Sequence, residues 1–270
     1  MMEDGKMRRI LVLTACGALG LFLATGGTVK SRTLSRTEKA KTERSFKMVR
    51  GGSVSLSTNL GNISVEPSAD TIVTMELVLK GDKKDIARFH FDSNDDPAHV
   101  ELRGTYHSNG QPMDLDIQFI LRIPEGFVRN LELESGAGSL ILRNVQANSI
   151  RGATAAGEIK VDDVLGRIDL KVGAGPIRAH VRRLNDDMRL ATDAGEIRIV
   201  IPDTISADID ASTTGAGGVA FTPMSAIPKL SFQSFVEETT HLRGRIHKAG
   251  PKLKAKSGAG NVYLEIQSSK

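Results

Sequence analysis

Seven segments of the chain share one pattern: a small residue or Asn-Leu, then glycine, any residue, an aliphatic residue, and alternation afterwards. They read TNLGNISV, SGAGSLIL, TAAGEIKV, VGAGPIRA, TDAGEIRI, TGAGGVAF and SGAGNVYL, and their glycines are Gly61, Gly138, Gly157, Gly175, Gly195, Gly217 and Gly260. From Gly138 onward the intervals are 19, 18, 20 and 22, then 43, about two periods. A period near twenty is the mark of a stacked repeat: one unit has too little apolar face to fold alone and buries it only against its neighbours.

Between the glycines the apolar residues alternate, as in Ile159 and Val161; Ile168, Leu170 and Val172; Ile177, Ala179 and Val181; Ile197, Ile199 and Ile201. Alternation with β-branched residues predicts strands with one buried face. Each unit then holds about two short strands, one ending at the glycine turn and one leaving it. Glycine suits that turn because it accepts positive φ and lets neighbouring backbone approach. With no Trp, two Tyr and only 4% aromatic residues, the core must be built from Ile, Val, Leu and Ala. These features predict an all-β fold, a repetitive β-solenoid resembling a parallel β-helix; a meandering antiparallel sandwich is the alternative.

Phe46 to Pro124 is less regular, with strand-like SVSLSTNLGNISVEP, TIVTMELVLKG, AHVELRGTY and LDIQFILRIPEG and a short helix expected over 82–88. It reads as a cap in front of the repeat, where a solenoid would otherwise expose strand edges. Between Ala226 and Ile246 the period breaks again, and Phe232 and Phe235 are candidates to cover the last coil.

At the other end, Met7-Arg8-Arg9 precedes an apolar run to Gly26, the layout of a secretory signal or, uncleaved, of an apolar anchor helix. Cleavage after Gly26 suits Ala24 three residues earlier. Leu13-Thr14-Ala15-Cys16 also has the form of a lipobox, which would make Cys16 a lipidation site. The expected organisation is 1–27 signal peptide or membrane anchor, 28–45 basic linker and 46–270 solenoid domain, in an exported protein of the periplasm or cell envelope. Membrane association would run through residues 10–26 or Cys16.

Charge is unevenly placed. Residues 1–50 hold 11 basic against 4 acidic residues, leaving 25 basic and 28 acidic in the remainder. A nucleic-acid binder would carry its positive excess on the folded domain, so nucleic acid is not an expected partner. With one cysteine, neither an internal disulfide nor a Cys-based zinc cage can form.

Residues that could carry chemistry read better as structure. The six histidines, His90, His99, His107, His180, His241 and His247, have no metal-ligand spacing. Asp162-Asp163 and Asp186-Asp187 could bind calcium or act as acid and base on a polysaccharide, but they fall at turns, where Asp is favoured for local hydrogen bonding. The Gly-x-Gly segments lack the helix and Lys-Ser/Thr of a phosphate loop, and there is no Gly-x-Ser-x-Gly elbow. Outward residues such as Glu158, Lys160, Glu196 and Arg198 alternate in sign, which favours cross-strand pairing. No catalytic, cofactor-binding or metal-binding residue and no cofactor is expected.

SVSLSTNLGNISVEP, IQFILRIPEGFVRNLELESGAGSLIL, the repeated Gly-x-Ile turns and HLRGRIHKAGPKLKAKSGAGNVYLEI together resemble the bacterial putative-adhesin domains of unknown function, related to the head GIN domains. The similarity covers about Ser45 to Ile266. It implies a β-solenoid-like domain on extracytoplasmic, often membrane-anchored proteins, and it brings no catalytic residues. The expected function is a non-catalytic envelope protein presenting a rigid β surface to an envelope protein or glycan, or serving as scaffold. The alternatives are a polysaccharide-active β-helix enzyme and a self-assembling structural protein.

Overall fold

The structure, a computed structural model, describes residues 38–222 and 232–267, with the side chains of 222 and 232–238 excepted. The leader, its Cys16 and the first part of the expected linker lie outside the described residues.

Strand β1 (Glu38–Lys47) is followed by β2 (Gly52–Thr58) and β3 (Asn62–Ser68), the first coil. Next come β4 (Ile72–Gly81), the short helix α1 (Lys83–Ile86) and β5 (Phe89–Asp96), then a coil formed by β6 (His99–Tyr106) and β7 (Leu115–Pro124). Four regular coils follow: β8 (Val128–Ala137) with β9 (Leu140–Arg143), β10 (Gln146–Ala156) with β11 (Ile159–Asp162), β12 (Leu165–Ala174) with β13 (Ile177–His180), and β14 (Met188–Ala194) with β15 (Ile197–Pro202). The chain ends through β16 (Ala207–Thr213) and β17 (Val219–Thr222), the hairpin β18 (Phe232–Glu238) and β19 (His241–Ile246), and the coil of β20 (Lys252–Ala259) and β21 (Val262–Gln267).

The two strands of each coil join different sheets. One has ten strands in the order β1-β4-β7-β3-β9-β11-β13-β15-β21-β17; the other has eleven, β18-β19-β16-β20-β14-β12-β10-β8-β2-β6-β5. The ladders between coils are parallel, and the outermost pairings are antiparallel at β1, β5 and β18 but parallel at β17. Parallel stacking of the repeats selects the solenoid arrangement over the antiparallel sandwich.

The Gly-x-Ile pattern becomes two adjacent columns. The aliphatic positions Ile63, Leu140, Ile159, Ile177, Ile197, Val262 and Val219 pair rung by rung, and all seven are buried. The glycines beside them have φ between +126° and +157°. A Cβ on Gly138 would overlap the carbonyl oxygen of Gly61, one on Gly157 that of Gly138, and so on through Gly175, Gly195, Gly260 and Gly217. Each glycine therefore seats the next coil at backbone contact, a distance no side chain permits.

A buried hydroxyl column accompanies the glycines, and the sequence reading missed it. Thr58, Ser135, Thr154, Val172, Thr192, Ser257 and Thr213 occupy one register. Ser135 donates to the Gly61 carbonyl (2.9 Å), Thr154 to Gly138 (2.8 Å), Thr192 to Gly175 (2.9 Å), Ser257 to Gly195 (2.9 Å) and Thr213 to Gly260 (3.1 Å). These bonds satisfy carbonyls that the tight turn removes from the ladder. Val172 interrupts the column and brings no hydroxyl to Gly157.

Both ends depart from sequence order. The first coil, Gly52–Ser68, was expected within a cap, but it lies inside the stack: β3 pairs with both β7 and β9, and β2 with both β6 and β8. The cap consists of β1, β4 and β5. Of the segment expected as basic linker, Glu38–Ser45 is already strand, paired antiparallel with β4. Helix α1 falls within the expected 82–88 and is held by the buried Asp85 carboxylate, which accepts from the Tyr106 hydroxyl (3.3 Å) and the Asp114 N–H (3.2 Å) and pairs with Arg88 (3.2 Å). At the far end, the 43-residue interval contains the β18–β19 hairpin, and the last coil returns to insert between β15 and β17. Phe232 and Phe235 lie on β18, but their side chains are outside the described set.

Alanine at Gly157 is expected to cost about 3–5 kcal/mol in urea unfolding, because positive φ and backbone overlap act together. Gly126, with φ +67° and open space around it, should cost about 1–2 kcal/mol; equal losses at the two sites would show that coil contact is not what demands glycine. In the hydroxyl column, Thr192→Val should cost about 1–2 kcal/mol, whereas Val172→Thr should be neutral or stabilising because Gly157 offers it a carbonyl.

Candidate functional site

The seven sequence-predicted glycines come together in one column, and they are the joints of the stack. The titratable residues singled out in the sequence are spread over turns and outer faces. Asp162 contacts His180 (3.1 Å) and Arg182 (3.8 Å), and Asp163 pairs with Arg183 (3.5 Å). Asp186 accepts from the Asp187 N–H (2.7 Å) and pairs with Arg167 (3.6 Å), while Asp187 accepts from the Lys252 N–H (2.8 Å). His90 stacks edge-on against His107, His247 contacts the Asp203 carbonyl (2.6 Å) and His241 contacts Asp210 (2.9 Å). Among the described residues, no group of three or more His, Cys, Asp or Glu side chains is placed to hold a metal ion.

A hollow of about 310 Å3 lies at the turns after β3 and β7, between Ser68 and Glu125; the other concave features lie on the outer face of the eleven-stranded sheet. Near the glycine turns a shallow groove of about 690 Å3 crosses several coils, with Gly104, Gly136, Ala153, Ala155 and Gly173 among its lining and Arg103, Glu134, Lys171 and Asp193 as charged neighbours. Farther along the same sheet, two hollows of about 420 and 300 Å3 share Lys252 and Lys254. Arg243, Arg245, Asp208 and Asp210 line the first; Arg151, Arg167, Arg189, Asp169 and Asp187 line the second.

Stacking arranges these side chains in rows. Arg151, Asp169, Arg189, Lys254, Asp210 and Arg243 occupy one register across six strands. Alongside, Lys252 pairs in register with Asp208, and Asp208 with Arg245. The two hollows together hold seven cations against four carboxylates, a net +3 on a body whose residues 51–270 carry 25 basic and 28 acidic groups. The expected sign alternation along strands therefore fails on this face: β20 turns Lys252, Lys254 and Lys256 outward, with Leu253, Ala255 and Ser257 buried between them. The signal was the period-two PKLKAK, but which strands flank it is decided by the out-of-order insertion of β20.

The two carboxylates of the first hollow are engaged. Asp208 receives two hydrogen bonds from Arg245 (2.6 and 3.2 Å), which hold its carboxyl below the ordinary carboxylate range. Burial opposes ionisation of Asp210, but the His241 hydrogen bond and the charges of Lys254 and Arg243 outweigh it and lower its pKa too. Among the described residues, Arg189, Lys252 and Lys256 form no ion pair, so their charge faces solvent.

A model of the Toastrack DUF4097 family matches residues 29–265. The solved structure of a "putative cell adhesion protein" from Clostridium sporogenes superposes with a TM-score of 0.52 at 12% identity, covering 85% of this chain and 100% of that one, and shares its fold. A "putative adhesin" from Bacteroides fragilis gives 0.36 at 11% identity, covering 84% and 97%. A "putative lipid binding protein" from Parabacteroides distasonis gives 0.31 at 10%, covering 83% and 96%. No curated protein matches the sequence.

Replacing Arg245 with Met should return the Asp208 carboxyl toward its ordinary value near 3.8. Carboxyl-detected NMR titration would follow it. A depressed folded pKa means this pair supports the fold fully above the unfolded value and loses that contribution as pH falls through the lowered folded value, so the difference between the two proteins should vanish in acid.

Proposed function

The chain belongs to the Toastrack DUF4097 family, and from that premise we propose that it is a non-catalytic, exported cell-envelope protein that uses its solenoid for adhesion, partner binding or scaffolding. The observation that carries this reading is the outer face of the eleven-stranded sheet, where small and charged side chains repeat in register across successive coils as an open surface. Such a surface provides contact area without an enclosed cleft. The acidic pairs that an enzyme could have used are held in turns and ion pairs. The resemblance of the sequence to the head GIN domains, which rests on its repeated Gly-x-Ile turns, supports the same role.

Export is supported by the Arg8-Arg9 pair and the apolar run after it, with Cys16 as the lipidation site if the lipobox is used. The partner would be an envelope protein or a glycan. Self-assembly by end-to-end stacking is disfavoured by the edge strand β1, whose exposed Glu38, Lys39, Lys41 and Glu43 resist pairing with another sheet.

Cells expressing the full chain and a Cys16→Ala variant should be fractionated and the mature N-terminus read by mass spectrometry, beside a binding assay on isolated envelopes. Envelope location with saturable binding is the expected outcome. An intact Met1 in the cytosol, or no binding to any envelope fraction, would overturn the reading.

A further inference from the structure

The two joined hollows on the eleven-stranded sheet also point to a class of ligand. We propose that they form a binding trough for a linear acidic polysaccharide, with Arg189, Lys252 and Lys254 at its centre; this rests on the binding role proposed above. The first argument is charge. The linings carry a net +3 on a body with an acidic excess; Arg151 and Arg167 are paired with carboxylates at its border, Glu132 and Asp186, which leaves the excess at the centre, on Arg189 and Lys252. Three of the four carboxylates in the trough are engaged from within, Asp208 by Arg245, Asp210 by His241, Arg243 and Lys254, and Asp187 by the Lys252 N–H, while Asp169 stands in register between Arg151 and Arg189. Arg189 forms no ion pair among the described residues and is exposed, as is Lys252, whose charge acts on Asp208 only through space. A polyanion laid across the face gains attraction from them without breaking an existing pair.

The second argument is spacing. Neighbouring strands lie about 4.8 Å apart, so cations on alternate strands repeat at roughly 9.5 Å. Lys252 and Arg245 stand in that relation across Asp208, and Lys254 and Arg243 across Asp210. Arg151 and Arg189 repeat it across Asp169. Arg189 and Lys254 lie on neighbouring strands, so along the row Arg151, Arg189, Lys254 and Arg243 the intervals are about 9.5, 4.8 and 9.5 Å, close to the lengths of two and one sugar residues, and an extended glycan with one acid group per residue meets each cation along the stacking direction. The intervening aspartates offer acceptors to its hydroxyls.

The third argument is shape. A polymer can lie along the shared hollows, whereas an anionic bilayer is flat and is held most firmly where apolar side chains enter it. The exposed large hydrophobic residues among those described are Val49 and Met113, and neither lies on the strands of this trough.

Binding of the full chain to polygalacturonate should be measured by titration at low and high salt. Dextran serves as the neutral control, with poly-L-glutamate and phosphatidylglycerol vesicles as competing ligands. The variant Arg189→Gln/Lys252→Gln/Lys254→Gln should lose affinity about tenfold or more. A charge-matched variant, Lys39→Gln/Lys80→Gln/Lys83→Gln, should keep it, with circular dichroism confirming that both fold. Binding should weaken with salt as exposed charges are screened. Equal loss in the two variants, no binding to polygalacturonate, or tighter binding to poly-L-glutamate or vesicles would overturn the proposal. If the trough variant still binds isolated envelopes as the parent does, the polysaccharide assignment fails while the envelope role stands; if the parent binds neither, both fail.

Discussion

The contact between glycine and the carbonyl of the glycine one coil away is the constraint on which the rest of the structure depends. Positive φ turns each strand into the next sheet, and the missing Cβ lets the backbone of the neighbouring coil sit directly against the turn. The turn removes a carbonyl from the ladder, and a buried Ser or Thr hydroxyl from the adjacent coil restores its hydrogen bond. Tight turn, close approach and satisfied carbonyl form one device, repeated along the stack.

From this device the surface follows. With each coil held in register, the inward residues make aliphatic columns and the outward ones make rows, so any charge placed at a fixed phase is repeated at the strand spacing. On the ten-stranded sheet these rows neutralise one another, as where Arg198 bridges Glu196 and Glu265 and lies over the Tyr263 ring. On the eleven-stranded sheet they do so only in part, because β20 carries lysines at three successive outward positions, Lys252, Lys254 and Lys256, and lies between β14, with Arg189, and β16. A binding face thus arises from uneven decoration of an otherwise uniform scaffold.

The ends show how a solenoid stops. At each end the chain passes beyond the stack, adds antiparallel strands, and returns a coil to a place next to an earlier one: β6 and β7 outside the first coil, β20 and β21 inside the coil of β16 and β17. The antiparallel edge strands β1, β5 and β18 do not continue the parallel register, and the Lys and Glu residues of β1 oppose further pairing. Asp85 fastens the N-terminal arrangement by joining α1, Tyr106 and the Asp114 backbone in one buried network.

The all-β character, the stacked repeat, the seven column glycines and the buried face of the repeat strands are legible in the sequence, because these depend on local periodicity and on a backbone conformation only glycine adopts readily. The sequence contained the hydroxyl column too, as the Ser or Thr before Gly138, Gly157, Gly195 and Gly260, but those hydroxyls have meaning only once another coil's carbonyl lies within reach. Coil order at the two ends, and with it the placing of Lys252 and Lys254 between Arg189 and the Asp208–Arg245 pair, was decided by tertiary structure alone. Every coil presents nearly the same edge to its neighbours, so local pattern does not distinguish one stacking partner from another; the choice is made by how the excursions of the chain cap the stack.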